Sequence, residues 1–362
     1  MRLFIVAGDP SGDFHASNLA KKIKQLSPQI EIFSGGGKEL AKTTIQIIDL
    51  EKIAVTGLFE VLSYLGRIIK AFNFIIKKIE ELKPRIIVLV DFPDFNLRLA
   101  KRLKKKGYKI FYYISPQLWA WRRKRINLIK NYVDKMLVIF PFEEEFYRKY
   151  NIPVLYVGHP LIETIPPLLG EKEKEKIIAF FPGSREKEVK KHLPIFLKVK
   201  KLLQANFKFI VVKHPRLTQD LFKEAVREGF QVIEKKDFEM IGKSYLALAS
   251  SGTVTLELAL LRVPTIVIYK MNLLSWLVLK DMVKTDFICM VNILAKEKIF
   301  PEFIQNEASP QNLTTICKKL IEDKEFYLTI QEKLGKIRTI LGEKSASLTT
   351  AQEILKEVSM GS

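Results

Sequence analysis

The sequence predicts an α/β protein made of two Rossmann-like, doubly wound parallel-sheet domains, and three observations carry that expectation. Short β-branched runs alternate with longer amphipathic stretches, the βαβα order that parallel strands with crossover helices produce. The alternation stops at a connector containing Pro166, Pro167 and the charged run 171–176, then restarts. At 362 residues the chain also exceeds what one hydrophobic core usually organises.

The first strand, 3–7, is an unbroken apolar run, as expected of a strand buried on both faces. It enters a glycine turn from Gly8 to Gly12 and then a helix over 14–25. Next come a strand at 31–34, a long helix over 58–82, a strand at 86–90 and a helix over 97–106 whose last turn is rich in lysine before Gly107. Strands at 109–114 and 135–140 complete the first half. Beyond the connector, strands are expected at 177–180, 207–212, 231–233, 245–249 and 265–269. The expected domains are 1–168 and 169–344, with a C-terminal helix within 345–362 whose return to the first domain is left open.

A net charge of +20 points to an anionic partner: nucleic acid, phospholipid headgroups or phosphorylated substrates. Residues 1–165 hold 28 Lys and Arg against 16 Asp and Glu, so the excess leans towards the first half. A Lys-rich, Glu-rich surface is also what heat-adapted proteins show. Nucleic acid is disfavoured, because no helix-turn-helix signature, zinc spacing or interleaved aromatic-basic motif is found. Cys289 and Cys317 cannot make a disulfide framework and read as core thiols in a reducing compartment. The chain starts directly in a strand without the pattern of a secretory leader, so a cytoplasmic location is expected. No uncharged apolar run reaches the roughly 18 residues of a spanning helix. Stretch 256–283 is broken by Arg262, Pro264, Lys270 and Lys280.

Two short segments carry the chemistry. Phe181-Pro182-Gly183-Ser184-Arg185 and Ser250-Ser251-Gly252-Thr253 each follow an apolar strand and open a helix, so backbone N–H groups and a helix dipole are aimed at an anion. Glu257 lies one helical turn beyond the second, where a carboxylate accepts hydrogen bonds from vicinal hydroxyls such as those of ribose. A nucleoside diphosphate is the guest these features suit. Asp91 follows strand 86–90 at the carboxyl edge, where open α/β sheets place ligands. The turn holding Asp9, Ser11 and Gly12 sits at the same edge. There is no paired-carboxylate Asp-x-Asp site for a divalent ion, and His15, His159, His192 and His214 are too scattered for zinc, so neither metal nor cofactor is expected. Two such domains facing a central cleft, with phosphate turns in the second, describe the GT-B architecture of nucleotide-sugar glycosyltransferases.

Several segments together resemble one family. They are Ala7-Gly8-Asp9-Pro10-Ser11-Gly12-Asp13, Val55-Thr56-Gly57-Leu58-Phe59-Glu60-Val61, Asp91-Phe92-Pro93-Asp94-Phe95-Asn96 and Ser115-Pro116-Gln117-Leu118-Trp119-Ala120-Trp121-Arg122. Phe140-Pro141-Phe142-Glu143, Val157-Gly158-His159-Pro160, Pro182-Gly183-Ser184-Arg185, Ser251-Gly252-Thr253, Asn292-Ile293-Leu294 and Pro301-Glu302-Phe303-Ile304-Gln305 extend the likeness. From its first residues to Gln305 the chain resembles the lipid-A-disaccharide synthase family, and the Trp-Ala-Trp-Arg and Asp-Phe-Pro-Asp-Phe-Asn segments are the most specific part.

The resemblance implies an inverting transferase that moves 2,3-diacylglucosamine from its UDP carrier to the 6-hydroxyl of 2,3-diacylglucosamine 1-phosphate and releases UDP. It implies a base in the Asp91 segment, with Asp94 close enough to share or exchange roles. It also places Asn292, Glu302 and Gln305 near the donor. Arg185 and the helix after Thr253 would hold the leaving diphosphate. The chain departs from the family in having Asp9 where Glu is usual, and Lys270 where Tyr-Arg-Met is usual. A relative of the same fold, either the transferase that adds N-acetylglucosamine to a lipid-linked peptidoglycan precursor or a UDP-N-acetylglucosamine 2-epimerase, would keep the UDP site without the Trp-Ala-Trp-Arg segment.

Acylated substrates imply contact with the anionic cytoplasmic face of the inner membrane. In stretch 58–82, Val61, Leu65, Ile68, Phe72, Ile75, Ile79 and Leu82 form one core-facing stripe. Leu62, Ile69 and Ile76 widen it, and Phe74 lies among Arg67, Lys70, Lys77 and Lys78, an arrangement that fits either a membrane contact or a helix packed on two sides. The sequence leaves a homodimer open.

Overall fold

The computed structural model describes residues 1–54, 61–165, 174–270 and 286–359, with side chains omitted at 53, 54 and 61–65. The chain divides into two compact units, one of Met1–Glu163 with Glu343–Ser362 and one of Thr164–Gly342.

The first unit is built on strands β1 (Arg2–Ala7), β2 (Glu31–Gly36), β3 (Ile45–Asp49), β4 (Ile86–Val90), β5 (Lys109–Tyr113), β6 (Lys135–Val138) and β7 (Val154–Tyr156). They form one sheet in the order β3-β2-β1-β4-β5-β6-β7, every adjacent pair parallel. Because strand side chains alternate, Phe4, Val6, Ile87 and Leu89 enter one core layer, and Leu3, Ile5, Ala7, Ile86, Val88 and Val90 enter the layer on the other face. Burial on both faces is why these strands read as continuous apolar runs. The last helix, Ala346–Ser359, belongs to this unit. Its Ala346, Ala351 and Ile354 pack with Ala16, Leu19 and Ile23 of helix Pro10–Leu26. Ser347 donates through its N–H and its hydroxyl to Glu163, at 2.6 and 2.7 Å.

The second unit holds β8 (Glu175–Phe181), β9 (Lys208–Lys213), β10 (Gln231–Glu234), β11 (Ser244–Ser250), β12 (Thr265–Tyr269) and β13 (Glu302–Ile304). Their order is β10-β9-β8-β11-β12-β13, again with every adjacent pair parallel. Each sheet reverses its winding once, between β1 and β4 in the first and between β8 and β11 in the second. Such switch points are where doubly wound sheets open a crevice for ligand.

Two expectations shift. Helix Pro10–Leu26 starts four residues earlier than the expected 14–25, because Asp9 caps it with Pro10 in its first turn. Ser11 and Gly12 are therefore helical, and the turn shortens to Gly8-Asp9. Strands β3, β7 and β13 were not anticipated.

Candidate active site

In the first unit the conspicuous feature is the carboxyl end of β4, beside that of β1. Asp91 and Phe92 both adopt left-handed backbone conformations, with φ of 45° and 50°. Side chains other than glycine resist this region, so each such residue costs about 1–3 kcal/mol unless its surroundings hold it. Here they do. The Asp91 carbonyl accepts from the Tyr112 hydroxyl at 2.6 Å and from Asn96 Nδ2 at 2.8 Å. Its N–H donates to the Tyr113 carbonyl at 3.0 Å. Tyr112 and Asn96 are both fully buried, so this clamp is rigid.

The clamped turn closes against Gly8. A Cβ added there would lie 2.2 Å from the Phe92 ring. Gly8→Ala should therefore displace Phe92, unseat the Asp91 turn and lower kcat/KM at least tenfold, with the protein still folded by circular dichroism. Wild-type kinetics in a folded Gly8→Ala protein would show that the turn does not set Asp91.

The two candidate carboxylates sit in different surroundings. Burial first, and then the charge of Asp9, push the Asp91 carboxyl up to about 7, with a backbone hydrogen bond from Phe92 opposing the shift. Asp94 is exposed and ion-paired, with Arg122 Nη1 3.5 Å away and Arg125 closer still. A desolvated carboxyl near neutrality suits proton transfer, whereas one held in an exposed arginine pair is a charge-positioning group. Asp9 itself accepts from the Gly12 N–H at 2.8 Å.

The Trp-Ala-Trp-Arg segment is anchored from below. Trp119 Nε1 donates to Glu143 Oε1 at 3.2 Å, and Glu143 Oε2 accepts from the Phe140 N–H at 3.1 Å. Burial pushes the Glu143 carboxyl up to about 8. The Trp119 ring meets Phe142 edge-on, Phe142 stacks on Phe140, and Phe140 lies 5.0 Å from the His159 ring. Segments 115–122, 140–143 and 157–160 are thus one packed cluster. His159 is neutral, pushed down to about 3 chiefly by burial, and its Nδ1 accepts from the Leu161 N–H at 3.1 Å. Trp121 remains exposed under the Arg122 guanidinium, 4.5 Å from the ring centre.

In the second unit the two turns expected to seat a phosphate differ. At Pro182-Gly183-Ser184-Arg185 a resident carboxylate is already in place: Glu188 Oε2 accepts from the N–H groups of Ser184 and Arg185 at 2.9 and 3.3 Å. Glu188 Oε1 holds Arg185 Nη1 at 3.0 Å, and the Arg185 side chain is otherwise exposed. His192 Nδ1 lies 2.8 Å from the Pro182 carbonyl and secures the turn from inside. Helix Thr253–Leu260 carries no side-chain cap, and nothing lies within 4 Å of a Cβ built on Gly252. The Ser251 N–H is committed to the Ile268 carbonyl at 2.9 Å, which fixes the turn at the carboxyl end of β11. Of the two turns, the uncapped helix at Gly252-Thr253 is the more open anion seat.

Glu257 is buried one turn inside that helix and accepts at Oε1 from Lys235 Nζ at 2.7 Å. Asn292 is fully buried and uses all its capacity locally. Its Oδ1 accepts from the Ile299 and Phe300 N–H groups, and its Nδ2 donates to the Phe300 carbonyl and Glu302 Oε1. Glu302 also accepts from the Ile288 and Cys289 N–H groups. The two hold the 288–302 segment in shape. Gln305, just past β13, has a left-handed backbone (φ 52°) and a buried Nε2 with no hydrogen-bond partner among the described residues.

The lipid-A-disaccharide synthetase family model matches residues 3–358. The chain belongs to the lipid-A-disaccharide synthase family. It is 36% identical to the lipid-A-disaccharide synthase of Coxiella burnetii, over 97% of each chain. It is 37% identical to lipid-A-disaccharide synthase 1 of Legionella pneumophila, over 99% of this chain and 97% of that one. Among solved structures it is similar to the UDP-GlcNAc 2-epimerase of Neisseria meningitidis bound to UDP-GlcNAc, with a TM-score of 0.58, 15% identity and coverage of 98% and 100%. It is likewise similar to MurG of Acinetobacter baumannii, with a TM-score of 0.59, 12% identity and coverage of 98% and 99%. These structures establish the GT-B class of fold; the sequence relatives select the synthase family within it. The chain is accordingly a lipid-A-disaccharide synthase family enzyme, a glycosyltransferase that uses a UDP-sugar.

Proposed function

We propose that the enzyme transfers 2,3-diacylglucosamine from UDP-2,3-diacylglucosamine to the 6-hydroxyl of 2,3-diacylglucosamine 1-phosphate with inversion, giving a β-1,6 disaccharide 1-phosphate and UDP. The observation that carries the reading is Asp91, a partly desolvated carboxyl raised to about 7 on a clamped turn at a ligand edge. The acceptor O6 attacks the anomeric carbon as its proton passes to Asp91, and the bond from that carbon to the diphosphate breaks. UDP leaves with its charge held by the amino end of helix Thr253–Leu260, Arg185 and the Gln305 amide, while Glu257 takes the ribose hydroxyls. On this reading residues 1–168 serve acceptor and membrane, and residues 169–344 serve the donor. Asn292 and Glu302 shape the donor site. Asp9 raises the Asp91 carboxyl, Ser11 and Gly12 line the neighbouring helix start, and Asp94 orients Arg122 and Arg125. The product's sugar–sugar linkage tests the proposal: one-bond and vicinal proton couplings of a β-1,6 bond are expected from the α-linked donor, and an α linkage would overturn inversion.

Among the described residues no helix is long and apolar enough to cross a membrane, so acyl chains must be met at a surface. In helix Val61–Leu82, Ile75 and Ile79 are buried, and Ile68, Phe72, Ile76 and Leu82 pack partly against the core. Ile69 and Phe74 are exposed at 56% and 39%, beside exposed Lys70 and Lys77. The Leu62 side chain lies outside the described residues. Ile69 and Phe74 are thus the apolar groups best placed for the anionic inner-membrane surface, with Ile76 leaning towards the core. Replacing Ile69 and Phe74 together with Ser should weaken binding to anionic vesicles at least tenfold at unchanged UDP affinity. Unchanged vesicle binding would remove this face from the membrane contact. A homodimer is compatible with the reading and is not required by it.

A further inference from the structure

The ion pair between Lys235 and Glu257 joins two elements that are distant in the sheet. Lys235 follows β10 directly, and its N–H donates to the Lys213 carbonyl at the end of β9, at 3.2 Å, so it stays at the carboxyl edge. Glu257 belongs to the helix that follows β11. In the order β10-β9-β8-β11 two strands lie between them. The pair therefore runs across the carboxyl ends of β9 and β8, over the switch point where a ligand crevice is expected.

The pair has two consequences for a nucleotide. Glu257 is only 6% exposed, and a carboxylate so placed needs a partner to stay charged and fixed. Its Oε1 is taken by Lys235 at 2.7 Å, while its Oε2 carries no protein hydrogen bond among the described residues. One oxygen is thus anchored and the other presented. An anionic diphosphate at the amino end of the same helix would also be repelled by an uncompensated carboxylate one turn away. The Lys235 ammonium cancels that repulsion.

We propose that Lys235 is a positioning residue for nucleoside recognition: it anchors Glu257 so that the carboxylate reads the vicinal hydroxyls of a ribonucleoside diphosphate. The inference rests on Glu257 taking the ribose hydroxyls. It predicts that Lys235 governs discrimination between ribose and deoxyribose.

The test measures, by titration calorimetry of the full chain, the affinities of UDP and 2′-deoxy-UDP for wild type, Lys235→Met, Lys235→Arg and Glu257→Gln. A hydrogen bond to a charged acceptor makes the wild type favour UDP by about ten- to a hundredfold. Lys235→Met should reduce that ratio to about threefold or less, as should Glu257→Gln, and Lys235→Arg should restore most of it. A mere loss of packing would weaken both nucleotides alike and leave the ratio unchanged. If Lys235→Met folds poorly, Lys235→Gln reads the same ratio, since it keeps a donor and loses the charge. A wild-type ratio retained in the uncharged variants overturns the role of Lys235 while leaving the ribose contact standing. A wild type that does not discriminate, with UDP still bound, overturns the ribose contact of Glu257 and this proposal with it.

Discussion

Asp91→Asn is expected to lower kcat by about 10³-fold, within the range by which a positioned general base accelerates proton transfer. The amide is nearly isosteric with the carboxyl, and the clamp from Tyr112 and Asn96 acts on the backbone carbonyl, so the turn should survive. UDP binding should be unchanged. The wild-type kcat/KM should fall below about pH 7, where the free enzyme's Asp91 is protonated, and the residual activity of the variant should lack that limb. The variant should also be more stable than wild type in alkali. Asp91 is raised to about 7 when folded, against an ordinary 3.8, so between those values the unfolded chain is ionised and the folded protein holds the proton. Folded protein thus loses stability as pH rises through that window, and the whole penalty is present above it. Asn removes the penalty: melting temperatures should coincide near pH 4 and separate in the variant's favour by pH 8. Equal turnover in Asp91→Asn would remove Asp91 as base; lower stability at pH 8 would contradict its desolvation.

Arg185→Ala is expected to lower kcat by about 10²-fold, the loss typical when one preorganised positive group leaves a developing anion. The side chain is 81% exposed and held at one nitrogen by Glu188, so its removal should cost little stability. Glu188 complicates the site in a testable direction. It already satisfies the Ser184 and Arg185 N–H groups, so the guanidinium rather than the turn's backbone is what this segment offers a diphosphate. Arg185→Lys should therefore recover only part of the rate, since an ammonium cannot contact Glu188 and a phosphate as a planar fork does. A fully active Arg185→Ala enzyme would place the diphosphate on the Gly252 helix alone.

Most of the strands that could be read from the sequence are central ones buried on both faces; β10, a partly exposed edge strand, was also expected, at 231–233. Ile86–Val90 is apolar throughout and Thr265–Tyr269 is β-branched from Thr265 to Ile268, and both were expected at their observed bounds. The three that were missed, β3, β7 and β13, all lie at sheet edges, where burial is partial and no apolar run is required. Ile45 at the start of β3 is itself exposed. The candidate site was legible to the same depth. Asp91 could be found because it ends a buried strand, and the Gly252 turn because it sits between a strand and a helix. What holds them could not be found. Asn96 lies within the Asp91 segment and Asn292 and Glu302 were both named, but their hydrogen bonds were not legible, and Tyr112 and the Lys235–Glu257 pair join residues that only the tertiary fold brings together. Lys235 in particular is one of 60 Lys and Arg, with no local pattern to single it out.

The central claim, acyl-sugar transfer from a UDP carrier, is tested most directly by UDP release from UDP-2,3-diacylglucosamine with and without 2,3-diacylglucosamine 1-phosphate, the lipid product being resolved by mass. Acceptor-dependent release with a tetra-acylated disaccharide phosphate is the predicted result. Release that ignores the acceptor, or turnover confined to unacylated UDP-N-acetylglucosamine, would contradict it.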